Sequence, residues 1–354
     1  MMDNNVNNVD KILITRLSAI GDVIHALPAA YALRKKYPTA QIDWLVERKA
    51  YPLVKLNPYL DNVILLPRKE WREMLSGDVL GAFKSFFKFF KNMKKRDYDL
   101  NLDLHGLFKS ALSGFLSRPG LRMGPADGRE LSTLFYQAKI DIPDKTMHKV
   151  ERNLHLASAL GAETDELNYG LKMTPIIKSR VSRLFEEENI DQNKKLIVIN
   201  PFTTWESKNW FLERYFKLAN ELIKAGYYII FTGARSDREA INSFISVEED
   251  SFSNLAGNTD LEELTEIYNR AALYIGGDTG PTHLAAAVEL PVISLMGPTD
   301  PETHGPYGEG HTVIQDNSLE CIRCWDRHCS RKMQCMKSIT VEQVLRIAKK
   351  KLSD

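Results

Sequence analysis

A short apolar run, a polar loop and a helical period follow one another at the start of the chain and again from Lys195 onward. That repetition limits the fold more than any other feature. The first copy opens with Lys11-Ile-Leu-Ile-Thr15, passes through Arg16-Leu-Ser-Ala-Ile-Gly-Asp22, and enters a helix-like stretch over residues 23–37. Residues 42–46, 63–66 and 98–104 read as further short strands, the last ending at His105-Gly106. The second copy begins with the apolar run 195–200, which ends in Pro201 and a polar loop; a helix over 212–225 follows and is stopped by Gly226. Strands over 228–232, 273–275 and 291–296 surround a helix over 261–270. Strands alternating with helices specify parallel sheets, so the chain reads as two similar α/β units. A length of 354 residues with 44% hydrophobic content fits two cores. The linker is expected near 173–178, where a proline precedes a polar helix over 179–188, giving domains 1–175 and 176–354.

Composition removes several classes. The opening MMDNNVNNVD has neither the basic flank nor the apolar segment of a signal peptide, so a cytoplasmic location is expected. No apolar run reaches the roughly 18–20 residues needed to cross a bilayer, which leaves only peripheral membrane contact. The net charge of +1 conceals an asymmetry. Residues 1–176 carry 26 Lys and Arg against 20 Asp and Glu (+6), and the remainder carries 21 against 26 (−5). Within the first half, residues 68–96 hold nine basic residues and three acids, interleaved with Phe83, Phe86, Phe87, Phe89 and Phe90. The first half therefore faces an anionic partner, and binding of nucleic acid by the whole protein is not indicated.

Ligands of open parallel sheets sit beyond the carboxyl ends of the strands, so the loops there carry the functional weight. Gly21-Asp22 follows the first strand and precedes a helix; Asp22 reads either as a helix cap or as a general base. The absence of GxGxxG disfavours a dinucleotide, whose pyrophosphate needs those glycines. In the second half, Thr203, Thr204 and Lys208 place hydroxyls and an ammonium after the strand ending at Asn200. Lys208 is either a solvated loop cation or a point charge for a leaving phosphate. The loop Gly276-Gly277-Asp278-Thr279-Gly280-Pro281-Thr282-His283 suits an anion, because glycines permit close backbone approach and the following helix start offers amides. His283 can equally be structural. The turn Gly297-Pro298-Thr299-Asp300-Pro301 either lies beside that loop or is plain turn chemistry.

Taken in order and at their spacings, SAIGDVIHALP, TTWESKNW, GGDTGPTHLAAA and GPTDP resemble glycosyltransferase family 9, the lipopolysaccharide heptosyltransferases. The resemblance spans nearly the whole chain. It implies a GT-B fold, with two Rossmann-like domains facing across a cleft, the first binding the acceptor and the second the nucleotide sugar. It also implies inverting transfer of heptose from ADP-L-glycero-D-manno-heptose to the inner core of lipopolysaccharide, with no cofactor required for catalysis, at the cytoplasmic face of the inner membrane. Asp22 matches the family's base, and Thr203, Thr204 and Lys208 its donor-phosphate positions. Asp278, Thr279, Gly280 and His283 match its donor loop, and Asp237 the acid that contacts ribose. Lys69, Arg72, Lys109 and Arg129 resemble the basic positions that meet an anionic lipopolysaccharide core. The last helix, 341–352, is expected to cross back onto the first domain.

The tail departs from the simplest members in carrying Cys321, Cys324, Cys329 and Cys335, which read as a structural zinc set or as four reduced thiols. Similar tails favour the type II subgroup. Rival functions are transfer by the same family of another sugar or to another acceptor, a nucleotide-sugar epimerase, and a non-catalytic nucleotide-sugar binder. The basic first half argues against the epimerase. The segment 81–95 reads either as a helix burying its phenylalanines or as a basic amphipathic helix lying on the inner membrane leaflet.

Overall fold

The computed structural model describes residues 9–244 and 246–353, so the polar opening 1–8 lies outside the described residues. The chain divides into two compact units, Met1–Lys172 and Met173–Asp354.

The first unit is built on β1 (Lys11–Thr15), β2 (Gln41–Glu47), β3 (Asn62–Leu66), β4 (Leu100–Asp103), β5 (Leu121–Pro125) and β6 (Ala138–Ile140). They form one sheet in the order β3-β2-β1-β4-β5-β6, every pair parallel. β1 is central, with Ile12 paired to Ile42 on one side and Leu100 on the other, and its apolar residues are wholly buried. A strand covered on both faces is expected to be continuously apolar, which is why it was the easiest element to read. The helix expected over 23–37 is two helices, Ile20–Ile24 and Leu27–Lys36. Pro28 explains the break: it lacks an N–H and its ring fits only a first helical turn.

The second unit repeats the plan with β7 (Leu196–Asn200), β8 (Tyr228–Phe231), β9 (Phe252–Asn254), β10 (Leu273–Gly277), β11 (Val292–Leu295) and β12 (Thr312–Ile314). Their order, β12-β11-β10-β7-β8-β9, places sequentially numbered strands as in the first sheet, and all pairs are again parallel. Both sheets are thus Rossmann-like, with the strand order reversing between β1 and β4 and between β7 and β10. Such switch points open a crevice at the strands' carboxyl ends.

One sequence expectation needs correction. Residues 175–178 are not linker: Thr174 caps the helix Pro175–Glu187, accepting the Ile177 N–H at 3.4 Å, and Pro175 takes the first helical position that suits it. The last helix, Val341–Ser353, puts its buried residues Val344, Ala348 and Leu352 into the second unit's own core. Their spacing forms one apolar stripe, and it packs on the helix Leu212–Lys224 and on β10 and β11.

Candidate active site

At the β1/β4 switch point of the first unit, the loop after β1 supplies Arg16 and Asp22 and the loop after β4 supplies His105. Asp22 stands in the first turn of the helix Ile20–Ile24, where an acid is favoured by the helix dipole. Its Oδ1 pairs with Arg16 Nη2 at 2.9 Å and its Oδ2 accepts the Ala19 N–H at 3.2 Å. Arg16 is buried, and it also donates to the Leu104 carbonyl, so the guanidinium that orients Asp22 is itself held at the end of β4. The His105 Nδ1 accepts the Leu17 N–H at 3.2 Å, which puts the ring hydrogen of the neutral form on Nε2. Burial first, then the charges of Arg16 and Lys109, push His105 down to about 2, so it is neutral at physiological pH. Below it Asp103, fully buried, accepts from Tyr136 Oη at 2.7 Å, Ser110 Oγ at 2.8 Å and the His105 N–H at 2.8 Å.

The four acceptor residues expected from the sequence do not form one group. Lys69 and Arg72 line a pocket of about 320 Å³ with Glu47, Arg48, Lys49, Leu66, Arg68 and Glu70, so five cations there outnumber two acids. Lys109 touches this pocket only through Glu47, 3.4 Å away, while donating to Ser18 Oγ at 2.6 Å. Arg129 is elsewhere: its N–H bonds to the Gly106 carbonyl at 2.8 Å, and its charge is felt at His105 and Lys149. Burial, then the Arg152 guanidinium, push Lys149 below the ordinary lysine range, and Asp22 opposes this. Arg16, Arg48, Lys49, Arg68, His105 and Lys149 were not singled out from the sequence. Only Arg16, in the same loop as Asp22, carried a positional signal.

At the β7/β10 switch point of the second unit, three of the residues expected on the donor side, Lys208, Asp278 and His283, meet. Lys208 Nζ lies 2.6 Å from Asp278 Oδ2, and Asp278 Oδ1 lies 3.3 Å from His283 Nε2. Thr299, from the turn after β11, donates its hydroxyl to Asp278 Oδ2 at 2.7 Å. Sequence reading passed Thr299 over as part of a turn. Burial pushes the Asp278 carboxyl up, but the hydrogen bond and charge of His283, then the charge of Lys208, outweigh it and hold it below the usual carboxylate range. The glycines have a packing reason. A Cβ on Gly277 would stand 2.8 Å from Thr203 Cγ2 and 3.1 Å from the Lys208 carbonyl, so only glycine lets the Lys208 loop lie against β10. Thr279 precedes the helix Gly280–Ala287 in extended conformation, and Gly280 opens that helix.

Thr203 closes its own loop: its N–H donates to Asn209 Oδ1 at 2.8 Å and its hydroxyl to the Trp205 carbonyl at 2.8 Å. Thr204 is exposed beside it. Asp237 is on the loop after β8, where its carboxylate accepts the Ala234 N–H at 2.8 Å. Trp205 lies between two cations, Lys208 Nζ at 4.2 Å and the Arg327 guanidinium at 5.1 Å from the ring centroid. It meets Trp325 edge-on at 6.4 Å, and Trp325 in turn meets His304 at 4.8 Å. The cysteine-rich tail thus straps two donor-side loops: Ser207 Oγ donates to the Asp326 carbonyl at 2.6 Å and the Trp325 N–H to the Pro298 carbonyl at 2.8 Å. The four cysteines are unpaired thiols that line one small pocket with Ser207 and Pro298. Among the described residues no group of three or more Cys, His, Asp or Glu is arranged to hold a metal ion, so the geometry adds nothing to the zinc expectation.

Comparison with known proteins bears on the whole chain. The chain is 28% identical to lipopolysaccharide heptosyltransferase 1 of Pseudomonas aeruginosa over 327 residues, 90% of this chain and 87% of that one. Its fold matches a glycosyltransferase family 9 protein of Veillonella parvula at a TM-score of 0.82 and 21% identity, covering 97% of each chain. It also matches the E. coli heptosyltransferase WaaC solved with ADP at 0.75 and 25% identity, covering 96% of this chain and 99% of that one. The family model described as glycosyltransferase family 9 (heptosyltransferase) matches residues 86–334. With most of its length inside that match, this chain belongs to glycosyltransferase family 9 and is a glycosyltransferase of the GT-B fold.

Proposed function

We propose that this enzyme transfers heptose, with inversion, from ADP-L-glycero-D-manno-heptose to the anionic inner core of lipopolysaccharide. The observation that carries the reading is the pair of switch-point sites: a hydrogen-bonded carboxylate, Asp22, in one unit, and the Lys208–Asp278–His283 cluster in the other. Two of the named relatives support it: the Pseudomonas protein is a lipopolysaccharide heptosyltransferase, and WaaC is a heptosyltransferase solved with ADP.

In this reading the acceptor hydroxyl gives its proton to Asp22 as its oxygen attacks the anomeric carbon, and the bond from that carbon to the diphosphate breaks on the opposite face. Arg16 keeps the Asp22 carboxylate aimed. Lys208 offsets the charge that develops on the departing diphosphate, a task that falls to a divalent cation in other transferases; transfer therefore persists in EDTA. Thr203, Thr204, Thr279, Gly280 and His283 contribute hydroxyl, amide and ring contacts to the phosphates, and Asp237 accepts from the ribose. Lys69 and Arg72, with Arg48, Lys49 and Arg68, take the acidic sugar and phosphate groups of the acceptor; Lys109 and Arg129 add charge nearer Asp22.

The test is Asp22→Asn, with ADP binding followed by calorimetry and transfer by product mass. ADP affinity stays within about twofold, and turnover falls roughly 100- to 10,000-fold, the usual worth of a positioned base. Near-normal turnover by the variant removes Asp22 from this role. Running wild type against a panel of ADP- and UDP-sugars with core-deficient acceptors assigns the donor.

A further inference from the structure

The helix Val79–Lys94 divides its phenylalanines between two environments. Phe86, Phe89 and Phe90 turn inward onto Trp71 of the helix Arg68–Met74, with ring centroids 5.1, 5.5 and 6.1 Å from the indole. The Trp71 Nε1–H donates to Ser85 Oγ at 3.0 Å, completing the seam. Phe83 and Phe87, one turn apart, are left outside at 53% and 66% exposure, with Leu80 at 74% one turn before them. The two that face out form a stripe that scattered surface apolar residues do not.

Charge selects what covers the stripe. Lys84, Lys88, Lys91, Lys94 and Lys95 are all exposed, and no acid interrupts residues 79–95. Lys84 and Lys88 follow Phe83 and Phe87 directly in sequence, so the cations rim the apolar stripe along one side. A second copy docking symmetrically on this face would set lysines against lysines. We propose instead that this helix lies flat on an anionic lipid bilayer, with Leu80, Phe83 and Phe87 entering the headgroup–acyl boundary and the lysines meeting lipid phosphates. No described helix is long and apolar enough to cross a membrane, and this one, at 16 residues, spans only about 24 Å. It lies on the surface.

This deepens the proposed function and rests on it for its purpose. The helix Arg68–Met74, locked to the lipid-facing helix through Trp71, carries Arg68, Lys69 and Arg72, which line the basic pocket of about 320 Å³. An acceptor whose sugars are tethered to lipid would then meet the pocket on the helix pair that touches its membrane.

The experiment is co-sedimentation of the full chain with phosphatidylcholine vesicles, with and without phosphatidylglycerol. Wild type partitions onto the anionic vesicles only, and salt releases it. Lys84→Gln/Lys88→Gln lowers that partitioning about 30-fold, from roughly 1 kcal/mol per lysine. Phe83→Ser/Phe87→Ser, at exposed positions that leave the fold intact by circular dichroism, lowers it at least tenfold. Equal binding to neutral vesicles, wild-type sedimentation without lipid, or indifference to both double variants overturns the proposal. Failure of the proposed function reads differently. Asp22→Asn keeps vesicle binding while losing transfer, and Phe83→Ser/Phe87→Ser keeps transfer to a delipidated, water-soluble acceptor.

Discussion

Asp278→Asn removes one charge from a pair that solvent barely reaches. The side chains of Lys208 and Asp278 are 13% and 6% exposed and their charged atoms lie 2.6 Å apart. At that burial, taking away one partner leaves the other uncompensated, a cost of roughly 3–5 kcal/mol. Thr299 and His283 can still bond to the new amide, so the lower end, about 3 kcal/mol, is expected. For a unit of this size that lowers the melting temperature by about 6–12 °C. Urea unfolding followed by tryptophan fluorescence is a suitable assay, because Trp205, with the Lys208 ammonium 4.2 Å from its ring centroid, reports on the pair. The pH dependence has a definite sign. The folded Asp278 carboxyl lies below its ordinary value, so its contribution is present above the unfolded value of about 4 and is lost as pH falls through the folded one. The gap between wild type and variant therefore holds from neutrality down to about pH 4 and narrows below it. Lys208→Met/Asp278→Asn, which removes both charges, recovers most of the loss. Wild-type stability in the single variant at pH 7, or simple additivity in the double, refutes the reasoning.

Lys208→Ala is expected to weaken ADP binding about 10- to 100-fold, the worth of a charged hydrogen bond, and to slow transfer as well; unchanged ADP affinity by calorimetry removes the lysine from the phosphate site. The cysteines should alkylate in a graded order. Cys324 is exposed and reacts first with iodoacetamide at pH 8, whereas Cys335, whose thiol burial and then the nearby Cys329 push up to about 11, reacts last by mass spectrometry. Uniform protection of all four, with a stoichiometric metal found by elemental analysis, would show instead a thiolate-bound zinc. Trp325→Ala should raise the KM for donor several-fold through the loosened Trp205 and Lys208 loop, with little change in kcat, and Trp325→Phe should restore most of it; equal KM in all three forms excludes the strap from positioning the donor.

How far the sequence disclosed this molecule depends on burial. β1 and β7, buried on both faces, were evident as apolar runs to within a residue. β5, β6, β9 and β12 were not anticipated: all four lie toward the sheet edges, the last three have only three residues each, and β5 reads Leu-Arg-Met-Gly-Pro, which is not continuously apolar. The donor-side cluster was legible as separate motifs, yet its central contact joins Lys208 to Asp278 across 70 positions of sequence. Local pattern cannot encode such a distance; the switch point between β7 and β10 supplies it. Thr299 shows the same limit, since a threonine in a Gly-Pro-Thr-Asp-Pro turn looks like any turn residue until β11 is known to lie beside β10. The acceptor cations show the reverse. Four were named together, and the fold separates Arg129 from Lys69 and Arg72 because the first follows β5 and the others follow β3.

The two switch points share a topology but set their aspartates in opposite surroundings. Asp278 has Lys208, His283 and Thr299 on its oxygens, is almost wholly buried, and is held below the usual carboxylate range. A carboxylate so placed is a poor proton acceptor, because taking a proton would forfeit the contacts that hold a lysine and a histidine in position. Asp22 has an arginine on one oxygen and a backbone N–H on the other, and its side chain is 37% exposed, so a hydroxyl can approach it. The His105 ring beside it is neutral, through burial and the charges of Arg16 and Lys109. Of the two aspartates, Asp22 is therefore the one whose surroundings suit the base of the proposed transfer. In the proposed transfer Asp278 would act through Lys208, whose ammonium it holds at 2.6 Å, fixing where that positive charge stands.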